Sequence, residues 1–88
     1  MMQEHIPGRP IYSVGDRVSF KFKFRDGNVE TFDGTIEIVD RFGALEIDNP
    51  REPSYDILVE NWRGSGEMML VKHIRESKIT KYEKRKSE

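Results

Sequence analysis

The fold is decided by residues 17–25, which read Arg17-Val18-Ser19-Phe20-Lys21-Phe22-Lys23-Phe24-Arg25. Polar and apolar residues alternate strictly along this stretch, with a valine or a phenylalanine at every even position. Alternation with a period of two places all the apolar side chains on one face of a β-strand, whereas a helix would scatter them around its circumference. The sequence therefore predicts a first strand whose apolar face covers a core.

A second alternating run follows a turn signal at residues 26–28. Asp26-Gly27-Asn28 contains residues that tolerate the positive φ of hairpin loops, and residues 32–38 then carry apolar side chains or glycine at every even position. A three-residue loop would place Phe22 opposite Phe32 and would satisfy both faces of the ribbon. On the outer face this register pairs Lys21 with Asp33 and Arg17 with Glu37.

Three further strands are expected. Residues 55–60 alternate, residues 68–71 form a short apolar run, and residues 78–80 suit a closing strand. Residues 73–77, which lie between the last two of these predicted strands, are too few for an α-helix and favour one 3₁₀ turn. The order predicts an all-β domain of five short strands with a 3₁₀ turn before the last.

Four stretches of the chain resemble the SH3-like small β-barrels of the KOW and Tudor types, as found in short proteins of bacteria, phages and mobile elements. These stretches are Tyr12–Val18, Gly34–Val39, Tyr55–Val59 and His73–Ile79. The resemblance implies a five-stranded SH3-like barrel over residues 12–81. It also implies a link to nucleic acids, because barrels of these types include nucleic-acid binders.

Composition limits the classes of protein to be considered. The 88 residues suffice for one small domain, with a flexible N-terminal arm expected over residues 1–11 and a disordered charged tail over 82–88. Cysteine is absent, which excludes disulfides and thiolate sites. Neither a run of 18 apolar residues nor a secretory segment is recognisable, so we expect a cytoplasmic protein without membrane contact.

Few residues could support catalysis or metal binding. The chain has two histidines, His5 and His73; the first lies in the predicted arm, and the second is interpreted as a packed or half-exposed structural residue. No acidic cluster has the spacing of a calcium loop, and the glycines at 64 and 66 are not followed by the lysine of a phosphate-binding loop. We therefore expect no enzymatic activity, no metal and no cofactor.

Charge is unevenly distributed although 15 basic and 16 acidic residues nearly cancel. Residues 26–60 hold ten acids and two bases, which gives −8, whereas residues 17–25 hold four bases and no acid, which gives +4. A basic edge of this kind could contact phosphates, although the expected cross-strand pairs would neutralise part of it. The nucleic-acid alternative therefore rests on Arg17, Lys21, Lys23, Arg25 and the basic tail.

Aromatic residues other than the phenylalanines of the first hairpin favour binding of a protein partner. Phe42, Tyr55 and Trp62 are placed at strand ends or in loops, where exposed rings often serve recognition. Trp62 could equally cover the open end of the barrel. We expect a non-catalytic interaction module that binds a protein through these three residues, as a monomer or weak homodimer. A further alternative is an acidic inhibitor of a nucleic-acid-handling protein.

Overall fold

The computed structural model describes residues 5–43 and 51–83. Its strands are β1 (Arg17–Lys23), β2 (Val29–Asp40), β3 (Ser54–Val59), β4 (Met69–Arg75) and β5 (Ile79–Glu83). Two 3₁₀ turns accompany them, the first at Trp62–Gly64 after β3 and the second at Glu76–Lys78 before β5. The prediction of an all-β chain with five strands is confirmed. Among the described residues, no helix is long and apolar enough to cross a membrane.

The five strands form one antiparallel sheet in the order β4-β3-β2-β1-β5. The edge strands β4 and β5 are consecutive in the chain, and only Glu76–Lys78 separates them. A flat sheet would hold its two edges about 19 Å apart, whereas the chain from Arg75 to Ile79 reaches at most about 14 Å. The sheet is therefore curled, although no ladder joins β4 to β5 within the described residues.

The core lies inside the curl. The alternating strands place their buried apolar side chains there, and Tyr12 adds its ring from the segment before β1. Burial of these side chains supplies the main driving force for folding. The buried apolar residues are Tyr12, Val18, Phe20, Ile36, Tyr55, Ile57, Val59, Val71 and Ile74.

The register predicted for the first hairpin is wrong by two residues. Phe20 rather than Phe22 lies opposite Phe32, and the last pair is Lys23 with Val29. The loop between the two strands therefore spans residues 24–28. The backbone N–H of Phe24 closes this loop by donating to the Asn28 carbonyl at 2.8 Å. A shift of two residues keeps every side chain on its predicted face but changes all its partners.

The end of β4 also differs from the prediction. The strand continues to Arg75, and the 3₁₀ turn begins only at Glu76. His73 lies in a bulge of β4, with a φ of 59° and its backbone N–H donating to Asp56 at 3.1 Å. Its side chain is exposed rather than packed or half-exposed, because the bulge turns it away from the core.

On both sides of residues 12–81, described residues contact the sheet. Residues 5–11, predicted as a flexible arm, lie against the sheet, with the Gly8 N–H donating to Arg41 and the Ile11 N–H to Glu76. At the other end β5 continues past residue 81, and Tyr82 pairs with Val18. Residues 1–4 and 84–88 lie outside the described part of the chain.

Candidate functional site

The three aromatic residues predicted as a partner site do not come together. Tyr55 lies inside β3 and is fully buried, so the prediction of an exposed ring is wrong. Phe42 is 47% exposed in the turn after β2. Trp62 stacks on Phe32 near the other end of that strand, and the eight residues from Phe32 to Asp40 span roughly 26 Å. No single partner site contains all three rings.

Trp62 belongs to an aromatic cluster at one end of the core. Its ring lies 4.5 Å from that of Phe32, centroid to centroid, with 19° between the planes. The rings of Phe22 and Phe24 lie 6.4 and 6.2 Å away. Arg63 covers the outer side of Phe24 at 4.3 Å and forms an ion pair with Glu30 at 2.8 Å. Trp62 is therefore a partly buried lid on the core.

Replacing Trp62 with alanine is expected to lower the free energy of unfolding by about 2 kcal/mol. This loss is smaller than the loss expected at a fully buried tryptophan, because the ring of Trp62 is half-buried. Urea denaturation followed by circular dichroism measures the loss. Phe42→Ala is the control, and we expect a much smaller change from this more exposed ring. Equal urea midpoints for the wild type and Trp62→Ala would show that the ring does not support the core.

Tyr55 belongs instead to a buried hydrogen-bond network centred on Glu76, which is fully buried. The Glu76 carboxylate accepts hydrogen bonds from the Tyr55 hydroxyl at 2.5 Å, from His5 Nδ1 at 2.7 Å and from the Ile11 N–H at 3.1 Å. Burial raises the pKa of Tyr55, and the bond to Glu76 raises it further. The phenol therefore stays protonated and donates, and the network fastens residues 5–11 to the sheet.

Sequence reasoning missed this network. Glu76 stands in the polar run Arg75-Glu76-Ser77-Lys78, and its neighbours carry no signal of burial. The buried position of Tyr55 could have been found, because it has the same parity as Ile57 and Val59 in an alternating strand.

The basic residues of β1 do lie together on the outside of the curled sheet. Arg17, Lys21 and Lys23 alternate with buried or half-buried apolar residues and are exposed. Lys81 of β5 lies beside them, opposite Ser19, and is also exposed. We call Arg17, Lys21, Lys23 and Lys81 the basic face. Arg25, the fourth predicted residue, is exposed in the hairpin loop next to its end.

Among the described residues, the observed register leaves the lysines of β1 without acidic partners. Lys21 lies opposite Thr31 and Lys23 opposite Val29. Arg17 lies opposite Thr35, so the predicted pairs of Lys21 with Asp33 and of Arg17 with Glu37 do not form. Asp33 accepts a hydrogen bond from the Ser19 hydroxyl instead. Within residues 5–43 and 51–83, no carboxylate lies within ion-pair distance of any cation of the basic face.

A depression of about 250 Å³ lies between β1 and β5, at the end of the basic face that holds Arg17 and Lys81. Ser19 and Tyr82 line it with these two cations, and so do the carboxylates of Asp33 and Glu83; Glu83 lies opposite Arg17. Arg17 donates to the Thr35 hydroxyl at 3.2 Å, which fixes its guanidinium above the sheet. The arrangement offers several cations and hydroxyl groups to an anionic chain that lies along the strands.

The described residues do not suggest a metal site. In the part of the chain that the structure describes, no group of three histidine or carboxylate side chains could hold a metal ion. Comparison with known proteins adds no functional assignment: no protein-family model, no curated protein and no solved structure matches this chain.

Proposed function

We propose that the protein is a non-catalytic nucleic-acid-binding domain and that the basic face is its contact surface. The observation that carries the proposal is the register of β1 with β2, which leaves Lys21 and Lys23 opposite Thr31 and Val29. Four cations on two neighbouring strands can then neutralise phosphates of one chain. Contacts between Lys or Arg and phosphates supply most of the sequence-independent affinity for nucleic acids.

The formal net charge of −1 is compatible with such a surface because the charges are segregated. Most acidic residues of the described chain lie on β2, on β3 and in the loops, and Asp33 and Glu83 are the acids that border the basic face. Charges further than about 8 Å away are largely screened at physiological ionic strength. The local field therefore depends on the residues of the basic face more than on the total charge.

We also propose that the curled sheet belongs to the SH3-like small barrels. Three features support this fold: the five antiparallel strands, their order, and the 3₁₀ turn that links the two edge strands. Among the stretches that resemble KOW- and Tudor-type barrels, Gly34–Val39 and Tyr55–Val59 lie within β2 and β3. Tyr12–Val18 leads into β1, and His73–Ile79 runs from the end of β4 through the 3₁₀ turn to the start of β5. Fold likeness alone does not assign a function, so the nucleic-acid proposal rests on the basic face.

The double variant Lys21→Glu/Lys23→Glu is expected to weaken binding of a labelled single-stranded oligonucleotide by more than about tenfold. It should also make the dependence of affinity on salt shallower, by about one unit of log–log slope for each phosphate that the variant no longer neutralises. Fluorescence anisotropy at several salt concentrations measures both quantities.

The matched control is Lys72→Glu, which reverses an exposed charge on β4, a strand that pairs with neither β1 nor β5. This variant should bind the oligonucleotide nearly as well as the wild type. Circular dichroism confirms that all three proteins are folded. Equal loss of affinity in the control and the double variant would contradict a localised site, and absence of binding by the wild type at low salt would contradict the proposed function.

A further inference from the structure

A second surface of the sheet is apolar and exposed. Ile38 of β2 is 52% exposed, and Met68, immediately before β4, is 66% exposed. Between them Leu58 of β3 lies opposite Leu70 of β4. Both leucines are half-buried and alternate with the buried residues Ile57, Val59 and Val71, so they lie on the outside of the curl. We call Ile38, Leu58, Leu70 and Met68 the apolar strip.

Acidic residues surround this strip. Glu37, Glu60 and Glu67 are exposed and Asp56 is half-exposed, against two exposed cations on β4, Lys72 and Arg75. None of these four carboxylates lies in an ion pair with another described residue. Asp56 accepts a hydrogen bond from the His73 N–H, and His73 itself is exposed. The surroundings are therefore net negative, opposite in sign to the basic face.

The strip reaches an open edge of the sheet. β4 is an edge strand, and no backbone hydrogen bond joins Met69, Leu70, Val71 or Lys72 to any described residue other than those of β3. The other edge, β5, carries Lys81 and Glu83, charged residues that discourage strand pairing. β4 carries Lys72 and Arg75 in its second half, but its first three residues, Met69–Val71, carry no charge. Within residues 5–43 and 51–83, β4 therefore offers both unpaired backbone groups and an apolar surface beside them.

From these features we infer that β4 binds an extended segment of a partner protein by strand addition. The segment carries apolar residues at alternate positions in its middle and Lys or Arg at its ends. Backbone hydrogen bonds to Met69–Lys72 hold it, its apolar side chains extend the strip beyond Leu70, and its basic ends meet the surrounding carboxylates. The same negative surroundings repel nucleic acid, so this surface is distinct from the basic face.

The test uses a fluorescein-labelled peptide of sequence Lys-Lys-Val-Thr-Val-Thr-Val-Lys-Lys and fluorescence anisotropy. We expect it to bind about tenfold more tightly than the same peptide with Glu in place of Lys or with Ser in place of Val. Methylation of the backbone nitrogens of all five central residues should abolish binding, because successive N–H groups point alternately toward and away from β4 and a methylated nitrogen cannot donate to it. Equal binding of any of these three control peptides overturns the inference.

Two variants locate the contact. Met68→Lys should weaken peptide binding by about tenfold, because its charge would lie at the β4 edge beside the apolar residues of the peptide; Met68 is 66% exposed, so the variant stays folded. Lys21→Glu/Lys23→Glu should bind the peptide as the wild type does. Unchanged binding by Met68→Lys overturns the inference. So does a concentration-dependent dimer that Met68→Lys abolishes, since the occupant of β4 would then be a second copy of the chain.

Discussion

Glu76→Ala is expected to lower the free energy of unfolding by about 3–5 kcal/mol, because the substitution leaves buried donors without an acceptor. The carboxylate accepts from Tyr55, His5 and Ile11, and both Glu76 and Tyr55 are fully buried. A domain of this size has a total stability of about 4–13 kcal/mol, so the variant should be largely unfolded at modest urea concentrations. Urea titration followed by far-ultraviolet circular dichroism measures the change.

Two further variants test whether the loss of stability comes from the hydrogen-bond network or only from the removal of a charge. Glu83→Ala removes an exposed carboxylate from β5 and should leave stability nearly unchanged. His5→Ala removes one donor but keeps the acceptor, and His5 is partly exposed, so water can take its place and the loss should be smaller than for Glu76→Ala. A Glu76→Ala protein as stable as Glu83→Ala would refute the role assigned to the network.

Gly34→Ala should destabilise the protein by about 3 kcal/mol, at the upper end of the range for overpacking. A Cβ at this position would lie 2.5 Å from Ile57 Cγ2 and 2.6 Å from the Leu58 carbonyl oxygen. The second contact is with backbone, so β2 and β3 would have to move apart at the centre of the sheet. The φ of Gly34 is not in the left-handed region, so the loss comes from the clash alone.

Gly27→Ala is the matched control for this prediction. A Cβ at Gly27 meets no atom within 4 Å, but its φ of +93° strains any other residue. The expected loss is about 1–2 kcal/mol from the backbone conformation. Thermal unfolding of the two variants side by side compares the effects, and a larger loss for Gly27→Ala than for Gly34→Ala would contradict the close packing of β2 on β3.

Local alternation was sufficient to predict the faces of the strands but not their partners. Val18 and Phe20 point inward as expected, because the period of two depends only on neighbours in the chain. The hairpin register depends on Phe24, which packs on Trp62, nearly forty residues further along the sequence. The alternating pattern of neighbouring residues carries no information about that distant contact. In the observed register, the predicted pairs of Lys21 with Asp33 and of Arg17 with Glu37 are absent.

In the candidate site, too, features that depend on neighbouring residues were predictable and features that depend on distant contacts were not. Arg17, Lys21, Lys23 and Arg25 could be chosen from the sequence, and all four are exposed, because charged residues between apolar strand positions point outward. The lack of acidic partners opposite Lys21 and Lys23 among the described residues depended on the register and was not predicted. Burial of Glu76 depends on donors at positions 5, 11 and 55, which only the folded chain brings together.

The most direct test of the central claim is a map of backbone amide chemical shifts as a single-stranded oligonucleotide is added to the isotope-labelled protein. We predict that the largest changes fall on Arg17, Lys21, Lys23 and Lys81, and that they shrink as salt is raised because phosphate contacts dominate. Changes centred on Met69–Lys72, or no changes at low salt, would contradict the assignment of the basic face as a nucleic-acid-binding surface.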